Sequence, residues 1–493
     1  MDSKIGAPAA SASVRHALYT YLVDLRPSEP PGRDAALLFL SRGVRMFSFG
    51  FLAVILVLYL QELGISTKNV GVLFSCTLAG DAVLSLLLTS VADRFGRRRS
   101  LILGSIVSLT TSIIFSFADN FLLLLLCGIF GIITPSGGEI GPFMSIELSG
   151  ISAATKASDR TKIMAWYNLL GSLCSAAGAV ACGQLVTRLH ESTGLLGCYR
   201  SALALYSSLH LLKLVIFTQL GASIEAAPKA APIAAERAVS SILGLHKSKA
   251  VVARLSGLFL IDSFAGALIL QSFVSSWFSA VYGTDAAMLG AIVFVCNVLA
   301  GFSSLLAVKF AEMMGLVMTM VVTHLPSNVM IMLVPLMPNE SAAVVLLCVR
   351  YSISQMDVPC RNAYIQGIVA DDERSAANGV TNMARSVGGA AGPALASMFY
   401  ASASTSSYPF LLAGLLKIVY DLLLLRGFKD LRTPEEQRER EQAEEGLEMA
   451  PAAALSASPP RPMRDPTKAR AVRSAAVDYM PLEAEESEED MEL

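Results

Sequence analysis

The chain has 493 residues, of which 54% are hydrophobic and only 16% are charged, and its mean hydropathy is +0.56. A soluble protein carries about 25% charged residues, so this composition excludes an ordinary soluble domain and predicts an integral membrane protein. The formal net charge of -2, without a Lys/Arg-rich arm, gives no support to nucleic-acid binding. The eight cysteines are scattered without a CxxC pair, which favours apolar packing residues over disulfides or a metal site.

Twelve apolar runs are candidates for membrane crossings, each of which needs about 20 mostly apolar residues as a helix. The runs are 37–60, 68–91, 101–118, 121–146, 162–187, 199–219, 251–280, 285–308, 315–337, 341–366, 375–400 and 408–426. We therefore predict an all-α integral membrane fold with one six-helix bundle at 37–219 and a second at 251–428. A polar cytoplasmic loop at 220–250 separates them, and residues 1–36 are predicted to be a cytoplasmic segment rather than a cleaved signal peptide.

Lys and Arg cluster after the second run, before the fifth run and in the central loop, which places those loops in the cytoplasm. Both termini are then cytoplasmic. Residues 429–493 are charged and Pro-containing, and we predict a disordered cytoplasmic tail there. Within it, Tyr479-Met480-Pro481-Leu482 fits a tyrosine-based signal for sorting adaptors, and a chance match is the competing explanation.

The two halves repeat each other at three places in the same order. SVADRFG at 90–96 matches KFAEMMG at 309–315, residues 159–178 match 373–392, and LLKLV at 211–215 matches LLKIV at 415–419. Matches that keep their order at nearly the same offset indicate a duplication. Parallel repeats with a substrate site between the halves are typical of transporters.

The loop TSVADRFGRRRS at 89–100 resembles the signature loop of the major facilitator superfamily, G-x-L-A-D-R-x-G-R-R. Thr89 stands where the family usually has Gly, and the matching residues are Asp93, Arg94, Gly96, Arg97 and Arg98. The resemblance covers roughly 37–428. It implies twelve transmembrane helices in two pseudo-symmetric bundles around a central cavity, with transport by alternating access. It also implies a gate in which Asp93 faces the N-terminus of the eleventh span; a loop that only fixes the topology is the alternative.

Ionisable side chains inside the predicted spans are candidates for substrate or proton translocation, since each costs about 2.5–3.5 kcal/mol there unless it is paired or hydrated. The candidates are Arg42, Arg45, Asp81, Glu139, Asp262, Arg350, Asp357 and Arg385. From their depths, the expected pairs are Arg42 or Arg45 with Glu139 or Asp357, Asp262 with Arg350, and Asp81 with Arg385. Static ion pairs that tie helices together are the alternative role for these residues.

Span 10 contains RYSISQMDVPCR at 350–361, in which Asp357 and Arg361 lie one helical turn apart and can pair. Pro359 is expected to interrupt this span, as Gly and Pro residues at 135–142 are expected to interrupt span 4. Lys213 and Lys417 occupy matching positions in spans 6 and 12. For them we expect snorkelling or a local pair of Lys417 with Asp421, rather than a site.

The leading function is a secondary active transporter of a small organic solute, with efflux slightly favoured over uptake. Its membrane carboxylates favour coupling to protons. The alternative is a non-transporting solute sensor of the same fold that signals through its tail. No nucleotide loop or nucleophile-and-base set is present, so neither an enzyme nor a cofactor is predicted. The expected partners are the solute, protons and the lipid bilayer. We expect a monomer in the plasma membrane, with a vacuolar or other internal membrane as the alternative.

Overall fold

The computed structural model describes residues 32–131, 133–136, 142–154, 160–225, 245, 247–369, 373–429 and 431. Within these ranges all regular elements are helices, and eight of them are long and apolar enough to cross a membrane. When broken and bent helices are included, the described chain follows the predicted order of twelve crossings. Glu139, Tyr479-Leu482 and most of the predicted terminal segments lie outside the described residues.

The first half contains α1 to α6. Their bounds are α1 Arg33–Glu62, α2 Thr67–Phe95, α3 Arg97–Phe117, α4a Phe121–Gly131 and α4b Pro142–Ala154. The next element, Arg160–Thr218, bends at Gly194, where φ is 68°. We call its two parts α5 (160–193) and α6 (195–218).

The second half contains α7 to α12 and repeats this order. Their bounds are α7a Lys249–Ala267, α7b Gln271–Tyr282, α8 Ala286–Met314, α9 Leu316–Leu333, α10a Glu340–Tyr351, α10b Asp357–Ile368, α11 Arg374–Tyr400 and α12 Tyr408–Phe428. The predicted all-α fold class is therefore confirmed.

Several helix ends follow from local chemistry. The Ser66, Asp285 and Asn339 side chains accept hydrogen bonds from backbone amides three residues ahead and so cap α2, α8 and α10a. Gly96 and Gly315, which match in the sequence repeat, have φ values of 106° and 84°. Glycine adopts these angles readily, so the same turn ends α2 and α8 in the two halves.

Among the described residues, one buried apolar cluster joins the two halves at one end of the molecule. We call the end with Arg97–Arg99 and Lys249 the basic side, and the end with Glu62 and Tyr282 the opposite side. One buried cluster on the opposite side includes residues of both halves, among them Leu56, Phe74, Phe273 and Leu289. On the basic side each half has its own cluster, one containing Phe49 and Phe143 and the other Phe259 and Tyr420. The halves are thus packed together on the opposite side and packed separately on the basic side.

Small residues bring α5 and α8 into backbone contact across the two halves. A Cβ added at Gly183 would lie 2.3 Å from the Ala286 carbonyl oxygen, and one added at Gly290 would lie 2.6 Å from that of Ala179. Asn297 Nδ2 also donates to Ser175 Oγ at 3.2 Å. This close seam explains how the opposite side is closed.

The small-residue runs AAG in α5 and GGAAG in α11 bring these helices close to neighbouring helices of their own half. A Cβ at Gly178 would lie 2.0 Å from the Phe47 carbonyl oxygen of α1, and one at Gly388 would lie 2.3 Å from that of Leu260 in α7a. Both glycines therefore pack within their own half.

Candidate functional site

A buried ion pair joins α1 to α4b inside the first half. Arg45 Nη1 and Nη2 donate to the two carboxylate oxygens of Glu147 at 2.6 and 2.7 Å, and both side chains are fully buried. Ser41 Oγ donates to Glu147 at 2.7 Å, and the Tyr167 hydroxyl donates to the same carboxylate. Two parallel bonds between a guanidinium and a carboxylate are a strong and specific arrangement. We call Arg42, Arg45, Glu147 and Tyr167 the first-half cluster.

Of the two predicted partners of Arg45, Asp357 lies in a cluster of the other half, and Glu139 lies outside the described residues. Arg45 pairs with Glu147, which the site prediction had left out. The reason is the break in span 4: α4b restarts at Pro142, which sets the direction of Glu147 independently of the residues before the break.

Arg42 lies beside the pair. Its guanidinium carbon is 4.5 Å from the centroid of the Tyr167 ring, a distance at which a cation is attracted to an aromatic face. A Cβ at Gly171 would lie 2.7 Å from Arg42 Nε. Glycine at this position of α5 therefore makes room for the arginine.

A second buried cluster joins α7a, α10b and α12. Lys417 Nζ donates to Asp262 Oδ1 at 2.5 Å, and Arg361 Nη1 lies 3.4 Å from Asp262 Oδ2. Arg361 Nη1 also donates to Asp357 Oδ2 at 2.9 Å, which confirms the predicted local pair. All four side chains are buried. We call Asp262, Asp357, Arg361 and Lys417 the second-half cluster.

The expectation for span 12 was wrong. Lys417 reaches across the bundle to Asp262, whereas Asp421 accepts hydrogen bonds from α9, with His324 Nδ1 at 2.9 Å and Asn328 Nδ2 at 2.8 Å. One turn of helix separates Lys417 from Asp421, but each finds a partner on another helix because both face the interior. Lys417, which we did not expect to belong to a site, is thus part of the candidate site.

The two expected pairings near the midplane were also wrong. Asp81 is completely buried, and neither of its carboxylate oxygens has a hydrogen-bond partner among the described residues. Arg385, its predicted partner, interacts electrostatically with Arg361, Asp262 and Asp357 of the second-half cluster. Arg350, the predicted partner of Asp262, lies over the Tyr351 ring at 5.0 Å. Depth along a helix was predicted from the sequence, but rotation about the helix axis decides which side chains meet.

Spans 4 and 10 are both interrupted, as predicted. The break in span 10 is at 352–356, between α10a and α10b, so that Pro359 lies in the first turn of the second segment rather than at the break. Proline is well tolerated near the start of a helix. Asp357 begins α10b, where the helix dipole favours a carboxylate. Broken helices of this kind place helix ends inside a membrane protein, where they can face a ligand.

The signature loop is fixed within the first half by Glu225. The backbone amides of Arg97 and Arg98 donate to the Glu225 carboxylate at 2.7 and 3.2 Å, and Arg98 Nη2 donates to the Thr218 carbonyl at 2.6 Å. In the second half Glu373 accepts from the amides of Lys247 and Ser248. The side chains of Asp93 and Arg94 lie outside the described residues, so the predicted gate stays a prediction.

A cavity lies between the halves on the opposite side. Its volume is about 530 Å³, and its walls come from α1, α5, α6, α7b and α8. The polar residues in its lining include Gln61, Glu62, His190, Ser279 and Asp285. It lies beside the seam between α5 and α8, since Ala286 belongs to both.

Comparison with known proteins agrees with this geometry. The family model of the Major Facilitator Superfamily matches residues 38–356, and the chain belongs to this superfamily. It is a multi-pass membrane protein with the fold of solute transporters and not an enzyme. It is 29% identical over 422 residues to an uncharacterized membrane protein of Saccharomyces cerevisiae, covering 80% of this chain and 93% of the yeast protein.

Solved transporter structures share the fold at low identity. A D-xylose-proton symporter has a TM-score of 0.66 and 15% identity, covering 79% of this chain and 96% of that one. The nucleoside transporter NupG has a TM-score of 0.59 and 13% identity, covering 80% and 99%. A bacterial homolog of the human lysosomal transporter Spinster, in an inward-facing and occupied conformation, has a TM-score of 0.63 and 15% identity, covering 83% and 100%.

Replacing Lys417 by Met should destabilise the protein by about 1–3 kcal/mol, the cost of leaving a buried acceptor without its donor. The loss is limited because Arg361 remains 3.4 Å from Asp262. Thermal unfolding of the purified protein in lipid nanodiscs measures it. Lys429→Met, at the exposed end of the same helix, is the matched control. Equal melting temperatures for the two variants would contradict a role for the Lys417–Asp262 bond.

Proposed function

We propose that this protein is a proton-coupled secondary transporter of a small organic solute that works by alternating access. The unequal packing of the two ends supports alternating access, since the halves share a core on the opposite side and have separate cores on the basic side. This is the packing of a transporter closed at one end. Rocking of the halves about the central region would break the seam between α5 and α8 and bring the basic ends together.

The observation that carries proton coupling is the position of Asp262 between two cations. Its carboxylate binds Lys417 of α12 through one oxygen and faces Arg361 of α10b with the other. A proton on Asp262 would neutralise the charge that holds both cations, and the three helices would then be free to repack. Protonation is thereby linked to the arrangement of the half, which is what coupling requires.

We place the basic side in the cytoplasm, from the Lys/Arg distribution, so that the structure corresponds to an inward-facing state. Export is slightly favoured over uptake, since the signature loop of residues 89–100 resembles that of exporters. The plasma membrane is the proposed location, and the remaining translocation candidates are Arg42, Arg45, Asp81, Arg350, Asp357 and Arg385, with Glu139 outside the described residues.

Replacing Asp262 by Asn should abolish proton-driven accumulation while solute exchange across the membrane continues. Asn keeps the size and one acceptor oxygen, but it cannot bind and release a proton at neutral pH. The measurement is uptake of a panel of labelled solutes by energised vesicles, with and without a protonophore. A tenfold loss of proton-driven accumulation corresponds to about 1.4 kcal/mol.

The matched control for this experiment is Asp119→Asn. Asp119 pairs with Arg200 at 2.6 Å, but its side chain is 70% exposed, so its charge should not matter for coupling. Protonophore-sensitive transport that is undiminished in Asp262→Asn would rule out the coupling role of Asp262. Transport that never responds to the protonophore, in any variant, would rule out proton coupling itself.

A further inference from the structure

Four polar side chains inside the first half lack hydrogen bonds that buried groups normally make. Asp81 of α2 is 0% exposed, and Tyr206, His210 and Lys213 of α6 are each 1% exposed. The atoms without a partner among the described residues are both Asp81 carboxylate oxygens, the Tyr206 hydroxyl, His210 Nε2 and Lys213 Nζ. Native proteins leave few buried polar atoms unsatisfied, and buried water usually satisfies those that lack a protein partner.

These side chains form one continuous tract. Tyr206, His210 and Lys213 are at positions i, i+4 and i+7 and share one face of α6. The Tyr206 and His210 rings meet edge to face with centroids 4.4 Å apart. Lys213 Nζ lies 4.2 Å from the centroid of the Phe143 ring in α4b. At about 1.5 Å per residue, the tract extends roughly 10 Å along α6, from the level of Asp81 towards the basic side.

The charged groups around the tract are few and unequally placed. Lys213 interacts electrostatically with Arg45 and Glu147, and His210 interacts with Lys213 and Arg45. Tyr206 interacts electrostatically with Asp81. One end of the tract is therefore a buried carboxyl group in the middle of α2. The other end is the first-half cluster.

The sequence repeat sets Lys213 apart from its counterpart. Lys417, which occupies the matching position in the second half, is bound to the Asp262 carboxylate at 2.5 Å. Lys213 Nζ has no hydrogen-bond partner among the described residues and lies over the Phe143 ring. If Lys213 only filled space in the core, an apolar residue would fill it at a lower cost in free energy, because burying an unpaired charge is unfavourable. The two lysines therefore differ in role. Lys417 holds helices of the second half together, whereas Lys213 is better suited to moving a proton.

We propose that Asp81 is a proton-binding site supplied from the basic side through Lys213, His210 and Tyr206, with water joining these groups. The imidazole accepts a proton at one nitrogen and releases one from the other, and the phenol can both accept and donate. The proton leaves a hydronium ion on the basic side, which becomes water, and ends on an Asp81 carboxylate oxygen. Lys213 passes on a proton of its ammonium group and then regains one, so that only O–H and N–H bonds form and break. This route rests on the proposed proton coupling and adds a second proton-binding group to Asp262.

Infrared spectroscopy of the purified protein in lipid nanodiscs tests the route without any solute. We expect a protonated-carboxyl band that disappears in Asp81→Asn and shifts on transfer to D₂O. Tyr206→Phe removes the hydroxyl and keeps the ring, and Lys213→Met removes the charge. Each should slow the deuterium exchange of this band at least about tenfold, the effect of about 1.4 kcal/mol of barrier.

The matched control is Tyr59→Phe. Tyr59 is a fully buried tyrosine of the same half, but its hydroxyl donates to the Phe115 carbonyl at 3.2 Å. Its loss should leave the exchange rate within about twofold, a change of about 0.4 kcal/mol. The route is overturned by the lack of any band that Asp81→Asn removes, or by equal exchange in Tyr206→Phe, Lys213→Met and the wild type. Because no solute is involved, that failure is separate from a failure of the Asp262→Asn transport experiment.

Discussion

Replacing Arg45 by Met is expected to destabilise the protein by about 3–5 kcal/mol, the usual cost of breaking a buried ion pair by removing one partner. Glu147 would keep its charge in a site where its side chain and that of Arg45 are 0% exposed. Ser41 and Tyr167 also donate to Glu147, but neither carries a compensating charge. Thermal unfolding in nanodiscs and the yield of monodisperse protein measure the loss.

The double variant Arg45→Met/Glu147→Gln should recover most of this loss, because it removes the uncompensated charge as well. Replacing both members of a buried pair is often nearly neutral. Arg200→Met provides the control: its partner Asp119 is 70% exposed, so the change should stay within about 1 kcal/mol. If Arg45→Met melts at the same temperature as Arg200→Met, the pair does not stabilise the fold.

Replacing Gly183 by Val is expected to prevent closure of the opposite side while each half stays folded. A Cβ at this position would lie 2.3 Å from the Ala286 carbonyl oxygen of the other half, well inside van der Waals contact. Backbone atoms of two helices cannot give way as a flexible side chain can. The halves must then separate along α5 and α8, and the population shifts to the state that is open on the opposite side.

Labelling of a cysteine at Ser279, in the wall of the cavity on the opposite side, measures this shift. The Ser279→Cys side chain should react with an impermeant maleimide at least about tenfold faster when Gly183→Val is present, a population change of about 1.4 kcal/mol. Gly257→Val is the control, since a Cβ at Gly257 meets nothing within 4 Å. Equal labelling in the two backgrounds would show that the seam does not control access.

Features that depend on local spacing could be predicted from the amino-acid sequence. Apolar runs of membrane length predicted the helices. The repeat of SVADRFG as KFAEMMG predicted a duplication, and similar turns at Gly96 and Gly315 agree with it. The pair of Asp357 with Arg361 also followed from the sequence, because residues four apart on a helix are neighbours. Span 10 is interrupted as predicted, but the break lies at 352–356 rather than at Pro359.

The pairing of charges between helices could be known only from the folded chain. Asp262 binds Lys417 rather than Arg350, and Arg45 binds Glu147. The rise of about 1.5 Å per residue predicts the depth of a side chain, but the rotation of each helix about its axis comes from packing against all its neighbours. The tract from Asp81 to Lys213 could not be predicted for the same reason. The sequence places its residues on two helices, but it does not show that both helices turn these residues towards the same interior.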